Sequence, residues 1–143
     1  MKITTWNVNG LRAVFQKSAL DWVHSEKPDV LCMQEIKVKP EQLDEDALMP
    51  FNAYNKTWHP AERAGYSGVA TWLAQPAQEQ RTGLGFPDYD QEGRVIVTRF
   101  DDFQLFNIYF PNGQRDHGRL TFKLDFYADL LKIVDDLHTA GEK

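Results

Sequence analysis

The order of elements in the first 34 residues constrains this chain more than any other feature. Residues 2–8, KITTWNV, are β-branched and aromatic and predict a strand. Phe15, Leu20, Trp22 and Val23 recur at helical spacing over residues 13–26, and Pro28 stops that helix. Residues 29–34, DVLCMQ, form an apolar run that predicts a second, buried strand. Strand, helix and strand in this order make a parallel pair joined by a crossover, which points to an α/β fold.

A polar helical turn, PEQLDEDAL, comes next, and strands are predicted at 52–58, 68–74, 94–100 and 103–110. Only Asp101-Asp102 separates the last two, so they form an antiparallel hairpin. Phe106, Ile108 and Phe110 share one face of its second strand, and Leu105, Asn107 and Tyr109 the other. Leu120, Leu124, Tyr127, Leu131 and Val134 predict an amphipathic helix over 120–138. A helix packed on a sheet normally leads into another strand. The text ends at HTAGEK, just past a helix-capping glycine, so these residues are expected to be the N-terminal part of a larger domain.

Apolar residues make up 42% of the 143 and aromatics 13%, enough for a buried core and against disorder. No apolar stretch approaches the ~20 residues that span a bilayer. The lone Cys32 allows no intrachain disulfide and sits in a predicted strand as a small apolar residue. With no leader pattern at Met1, a cytoplasmic protein without membrane partners is expected. The net charge of −5 argues against a broadly basic nucleic-acid binder. The charges are segregated, however. Acids gather at Asp125, Asp129, Asp135, Asp136 and Glu142, while Arg12, Lys37, Lys39, Arg63, Arg94, Arg115 and Arg119 fall mainly at the ends of elements. A local basic face on an acidic body is compatible with this pattern.

Glu35 stands where the apolar strand opens into the basic loop Lys37-Val38-Lys39-Pro40. Open α/β sheets bind ligands outside the carboxyl ends of their strands, and Asn7 and Asn9 end the other early strand. One carboxylate and two amides offer hard oxygens of the kind Mg²⁺ accepts, with water and substrate phosphate completing its shell. Asn7-Val8-Asn9-Gly10 is equally an ordinary turn sequence. His24, His59, His117 and His138 show no metal-ligand spacing, and no Walker-type loop or Ser/Cys nucleophile motif is present.

Taken together and in order, WNVNGLRA (6–13), DVLCMQEIK (29–37), GYSGVA (65–70), QEGRVIV (91–97) and YFPNG (109–113) resemble the exonuclease III family of AP endonucleases, within the endonuclease/exonuclease/phosphatase superfamily. The resemblance implies a four-layer α/β sandwich, two mixed sheets face to face with helices outside, of which residues 1–143 are about the N-terminal half. It makes Glu35 the metal-binding carboxylate and Asn7 the asparagine that orients the catalytic aspartate. Asn9 stands where some members carry a metal-site aspartate, and its amide is the weaker ligand. Tyr109 matches the tyrosine beside the scissile phosphate. Arg12, Lys37, Gly65, Tyr66, Arg94 and Asn112 match positions that contact or flank the DNA backbone.

The implied activity is Mg²⁺-dependent hydrolysis, with Mn²⁺ as a substitute, of the phosphodiester 5′ to abasic sites in duplex DNA. A 3′→5′ exonuclease activity accompanies it. The family's later Gly-Asp-x-Asn and closing Ser-Asp-His motifs are absent from these residues, so they are expected to be inactive without a C-terminal half. The competing expectations are a superfamily phosphatase or RNA-directed nuclease, and a non-catalytic DNA-binding or structural fragment.

Overall fold

Strand β1 (Ile3–Asn7) lies parallel to β2 (Val30–Gln34), with Ile3 opposite Val30 and Asn7 opposite Gln34, as the strand–helix–strand order requires. The computed structural model describes residues 1–113 and 116–143; Arg115 lies outside the described residues. β3 (Asn55–His59) and β4 (Val69–Leu73) complete a four-stranded sheet in the order β1-β2-β4-β3, with β4 antiparallel to both its neighbours. β5 (Glu79–Thr82), β6 (Val95–Arg99) and β7 (Gln104–Ile108) form a second, antiparallel sheet in the order β5-β6-β7. The Asp101-Asp102 hairpin joins β6 to β7, closed by Phe100 N–H donating to Phe103 O.

The sheets stack with β6 and β7 over β2 and β4. Alternation along β2 explains its continuous apolar run. Leu31 and Met33 face the first helical layer, while Val30 and Cys32 face the second sheet. Burial pushes the Cys32 thiol up to about 11, which suits a packing residue and not a nucleophile. The interface between the sheets is also bolted by polar groups. Asn107, only 3% exposed, donates to Ala70 O and Thr71 Oγ1 and accepts from Gln34 Nε2 at 2.7 Å. His59 Nδ1 meets Val95 O across the same gap at 2.9 Å, so this histidine ties the sheets together.

The single helix expected over 13–26 is two: α1 (Leu11–Gln16) and α2 (Trp22–Glu26). α1 ends in a Schellman motif, with Ser18 left-handed at φ 51, Ser18 N–H on Phe15 O and Ala19 N–H on Val14 O. The break lets Leu11, Val14, Leu20 and Val23 all reach one core. Short helices α3 (Glu45–Leu48) and α4 (Pro87–Asp90) follow in the loops.

α5 (His117–Thr139) packs outside the second sheet, its start capped by Asp116 accepting from Arg119 N–H at 2.7 Å. Its buried side is Phe126 and Leu130, flanked by Phe122 and Ile133, against Val95, Val97, Tyr89 and Phe106. The stripe that marked this helix in the sequence, Leu120, Leu124, Tyr127, Leu131 and Val134, is on the other side and 37–59% exposed. Both rows have helical spacing, and the row with two phenylalanines meets the ring of Tyr89 edge-on. Among the described residues no helix is long and apolar enough to cross a membrane.

Candidate active site

Three loops at one edge of the first sheet are stitched into a single rigid turn. Gly10 and Leu11 N–H donate to the carbonyls of Glu35 and Ile36; Ile36 and Lys37 N–H donate to those of Gly68 and Ser67. The turn needs left-handed backbone at Glu35 (φ 53), Lys37 (φ 53), Ser67 (φ 49) and Asn9 (φ 45). Only Asn among these adopts it readily, and the four backbone bonds hold the others there. Gly68 permits the close approach, because a Cβ there would lie 2.7 Å from Ile36 Cγ1.

This turn brings Asn7, Asn9, Glu35, Lys37 and Tyr109 together. Asn7 Nδ2 donates to Glu35 Oε1 at 2.8 Å, and its own Oδ1 accepts from Asn9 N–H at 3.1 Å. Lys37 Nζ lies 3.3 Å from Glu35 Oε2 and donates to Asn9 Oδ1 at 2.5 Å. The Tyr109 hydroxyl also hydrogen-bonds Glu35. Partial burial raises the Glu35 pKa, but the bonds from Asn7, Tyr109 and Lys37, with the Lys37 charge, outweigh it and hold the carboxyl below its usual range. Burial and the neighbouring carboxylate push Tyr109 up to about 12. Glu35 is therefore ionised and Tyr109 a neutral hydrogen-bond donor at neutral pH.

From Glu35 a cleft of about 730 Å³ opens past Lys37, Gly65, Tyr66, Arg94, Tyr109 and Asn112. Of the ten residues singled out in the sequence, eight are thus either in the Glu35 cluster or beside it, and Asn112 lines the same wall. Arg12 is exposed on α1 and does not line the cleft.

Arg94 lines the cleft from within the protein: its side chain is 2% exposed, and each of its three guanidinium nitrogens has a protein partner. Nε pairs with Glu92 at 2.6 Å, one terminal nitrogen donates to Tyr109 O and the other to Tyr66 Oη, each at 2.9 Å. It also lies over the rings of both tyrosines, 5.1 Å from Tyr109 and 5.8 Å from Tyr66. Arg94 is a positioning residue in this geometry. Its Ala variant takes a donor from Tyr109 O and leaves Glu92 and Tyr66 Oη to Arg119 alone, and a loss of about 1–3 kcal/mol in urea unfolding is the expected result.

Glu92 lies inside QEGRVIV and Arg119 six residues past YFPNG, yet sequence reading assigned neither to the site. Glu92 bridges the two arginines, accepting from Arg119 at 2.8 Å as well as from Arg94. Arg119 in turn reaches Tyr66 Oη at 3.3 Å and faces the cleft. Burial opposes ionisation of Glu92, but the two guanidinium groups prevail and its pKa is lowered. A carboxylate depressed below its unfolded value stabilises the fold above that value and ceases to do so as pH falls through the folded one. With Glu35 and Glu92 both depressed from 4.5, the urea midpoint is expected to fall steadily as pH drops below about 4.5. Glu92→Gln should flatten that slope.

Residues 4–143 match the model of the Endonuclease/Exonuclease/phosphatase family, and the chain belongs to that family. A zebrafish (Danio rerio) protein named DNA repair nuclease APEX1 is 43% identical over the whole chain, which covers 50% of that protein. The Bacillus subtilis exodeoxyribonuclease is 36% identical over 96% of the chain and 53% of its own length. Among solved structures, a 3′-5′ exonuclease from Neisseria meningitidis superposes with a TM-score of 0.80 at 30% identity, over 97% of this chain and 53% of that one. The chain therefore spans about half the length of the relatives it matches.

Proposed function

We propose that these residues form the metal-carboxylate side of a DNA repair nuclease that hydrolyses the phosphodiester 5′ to abasic sites in duplex DNA. The observation that carries this reading is Glu35, ionised at a strand end, held by Asn7 and Tyr109 and opening onto a cleft walled by arginine and tyrosine. The printed names of the relatives, among them a DNA-(apurinic or apyrimidinic site) endonuclease from Dictyostelium discoideum, support the substrate class.

The donor set fits Mg²⁺ in a water-rich shell. Among the described residues no group of three acids, histidines or cysteines could hold a metal ion; in this reading Glu35 supplies the carboxylate and Asn9 Oδ1 a second oxygen. Asn7 turns its amide nitrogen toward Glu35 and its oxygen away, so it orients the carboxylate and does not ligate. Bound there, Mg²⁺ would supply Lewis-acid stabilisation of phosphoryl charge. Tyr109 keeps its proton at neutral pH and can donate to a phosphate oxygen. Lys37, Arg63 and Arg119 give the cleft cations for a phosphate backbone. An abasic sugar has no base to unstack or unpair, so it is the least costly nucleotide to draw into such a cleft.

The test extends residues 1–143 with the C-terminal half of the Bacillus relative and assays an abasic duplex with Mg²⁺. Cleavage there, lost on Glu35→Gln with the fold intact, is expected. A folded chimera that hydrolyses RNA or a phosphoinositide and spares abasic DNA would transfer the chain to another branch of the family.

A further inference from the structure

We propose that the Lys37 ammonium group is a resident stand-in for the divalent cation, which must displace it from Glu35 and Asn9 in order to bind. The inference rests on the reading of Glu35 as the metal carboxylate. Lys37 Nζ sits 3.3 Å from Glu35 Oε2 while donating to Asn9 Oδ1 at 2.5 Å, so it holds the same two oxygens that the cation needs. Asn7 does not relieve the competition, because its own oxygen is taken by Asn9 N–H.

The backbone makes this placement hard to avoid. Lys37 N–H is bonded to Ser67 O, and Glu35 O accepts from Gly10 N–H, so stem and carboxylate leave from fixed neighbouring points. Charge makes it effective. Among the described residues Glu35 is the one anion of this four-residue cluster and Lys37 the one cation, with Asn7 and Asn9 neutral, so the four side chains sum to zero. A divalent ion approaching the occupied cluster meets no net attraction and one close like charge. Once Lys37 swings away, the cluster carries a full negative charge. An aspartate in place of Asn9 would keep a negative charge in either state; the amide makes the exchange decisive.

Lys37 also has somewhere to go. Its side chain is 35% exposed and lines the cleft assigned above to phosphate. Metal entry would therefore release a cation toward the substrate, and a phosphate in the cleft would draw Lys37 off the metal ligands. Each ligand favours the state that the other needs, which is positive coupling between the two sites.

The experiment measures Mn²⁺ binding to the 143-residue chain by the electron-spin signal of the free ion, at neutral pH and low salt. Lys37→Met and Lys37→Gln should both bind Mn²⁺ about tenfold more tightly than the parent, as removal of one close like charge implies. Lys37→Arg, which keeps the charge, should stay near the parent. Glu35→Gln should abolish binding in either background. In a parallel Mg²⁺ titration, the Lys37 side-chain NMR signals should move in step with saturation.

Equal or weaker Mn²⁺ binding by both neutral variants, with binding still lost in Glu35→Gln, would overturn the stand-in role and leave the metal reading standing. Binding indifferent to Glu35→Gln, or no binding by any variant, would overturn both. Circular dichroism on each variant should match the parent, so that any loss of binding is not a loss of fold.

Discussion

Gly93→Ala should leave the chain largely unfolded at 37 °C. Gly93 sits between α4 and β6 at φ 60, and an added Cβ would lie 2.4 Å from His59 O, 2.5 Å from the Pro60 carbonyl carbon and 2.6 Å from Ala61 N. Those are backbone atoms of the strand end that His59 ties to Val95, so no side chain can swing aside to make room. One sheet must move off the other. Left-handed strain adds about 1–2 kcal/mol, and a backbone overlap of this size places the total above ~4 kcal/mol, among the exceptional single-residue losses. Gly85→Ala is the control. It has a comparable positive φ of 89 but nothing within 4 Å of its Cβ, so it carries the strain alone. At ~3 °C per kcal/mol, Gly85→Ala should lower the thermal midpoint by a few degrees and Gly93→Ala by more than ~10 °C. Equal midpoints would show that packing against residues 59–61 is not what requires glycine.

The second large effect is catalytic: purified residues 1–143 should cleave abasic DNA no faster than background. Among the described residues Glu35 is the only carboxylate hydrogen-bonded to Asn7 or Lys37, and neither Gly-Asp-x-Asn nor Ser-Asp-His occurs in these residues. General-base assistance is typically worth about 10²–10⁴-fold. Loss of a donor to the developing transition-state charge costs a further ~10²–10³-fold by analogy with oxyanion holes. Such losses need not multiply, but together they should put cleavage near background. That assay needs an abasic duplex, Mg²⁺ and a matched Glu35→Gln protein. Cleavage at rates usual for a nuclease, abolished in that control, would show that the residues for turnover are already present here.

Much of this was legible in the sequence, for physical reasons that can be stated. The parallel β1–β2 pair followed from a proline-stopped crossover, and the β6–β7 hairpin from two aspartates. Glu35, Asn7 and Asn9 were legible because strand ends of an α/β sheet converge on one edge. The identity of the buried face of α5 was not legible. Two apolar rows run along it, and only the shape of the facing sheet selects Phe126 and Leu130. The burial of Arg94 was not legible for a related reason. An arginine in a loop motif suggests a surface cation, and its burial depends on Glu92 and Tyr66, which approach it through the fold. Arg119 was noted as a basic residue but not assigned to the site because, 25 residues past Arg94, it joins the cleft only when α5 docks.

The left-handed backbone at Glu35, Lys37 and Ser67 has a bearing on how such a protein can be improved. Each conformation costs a side-chain-bearing residue about 1 kcal/mol or more, and glycine would remove that cost. A selection for heat resistance alone would thus be drawn to these three positions, where the stabilising replacement is easiest to find. Two of those three replacements would delete the carboxylate and the ammonium that meet at the cleft mouth. Hardening this chain by blind screening would tend to erase its chemistry first, whereas changes on the outer side of α5 carry no such penalty.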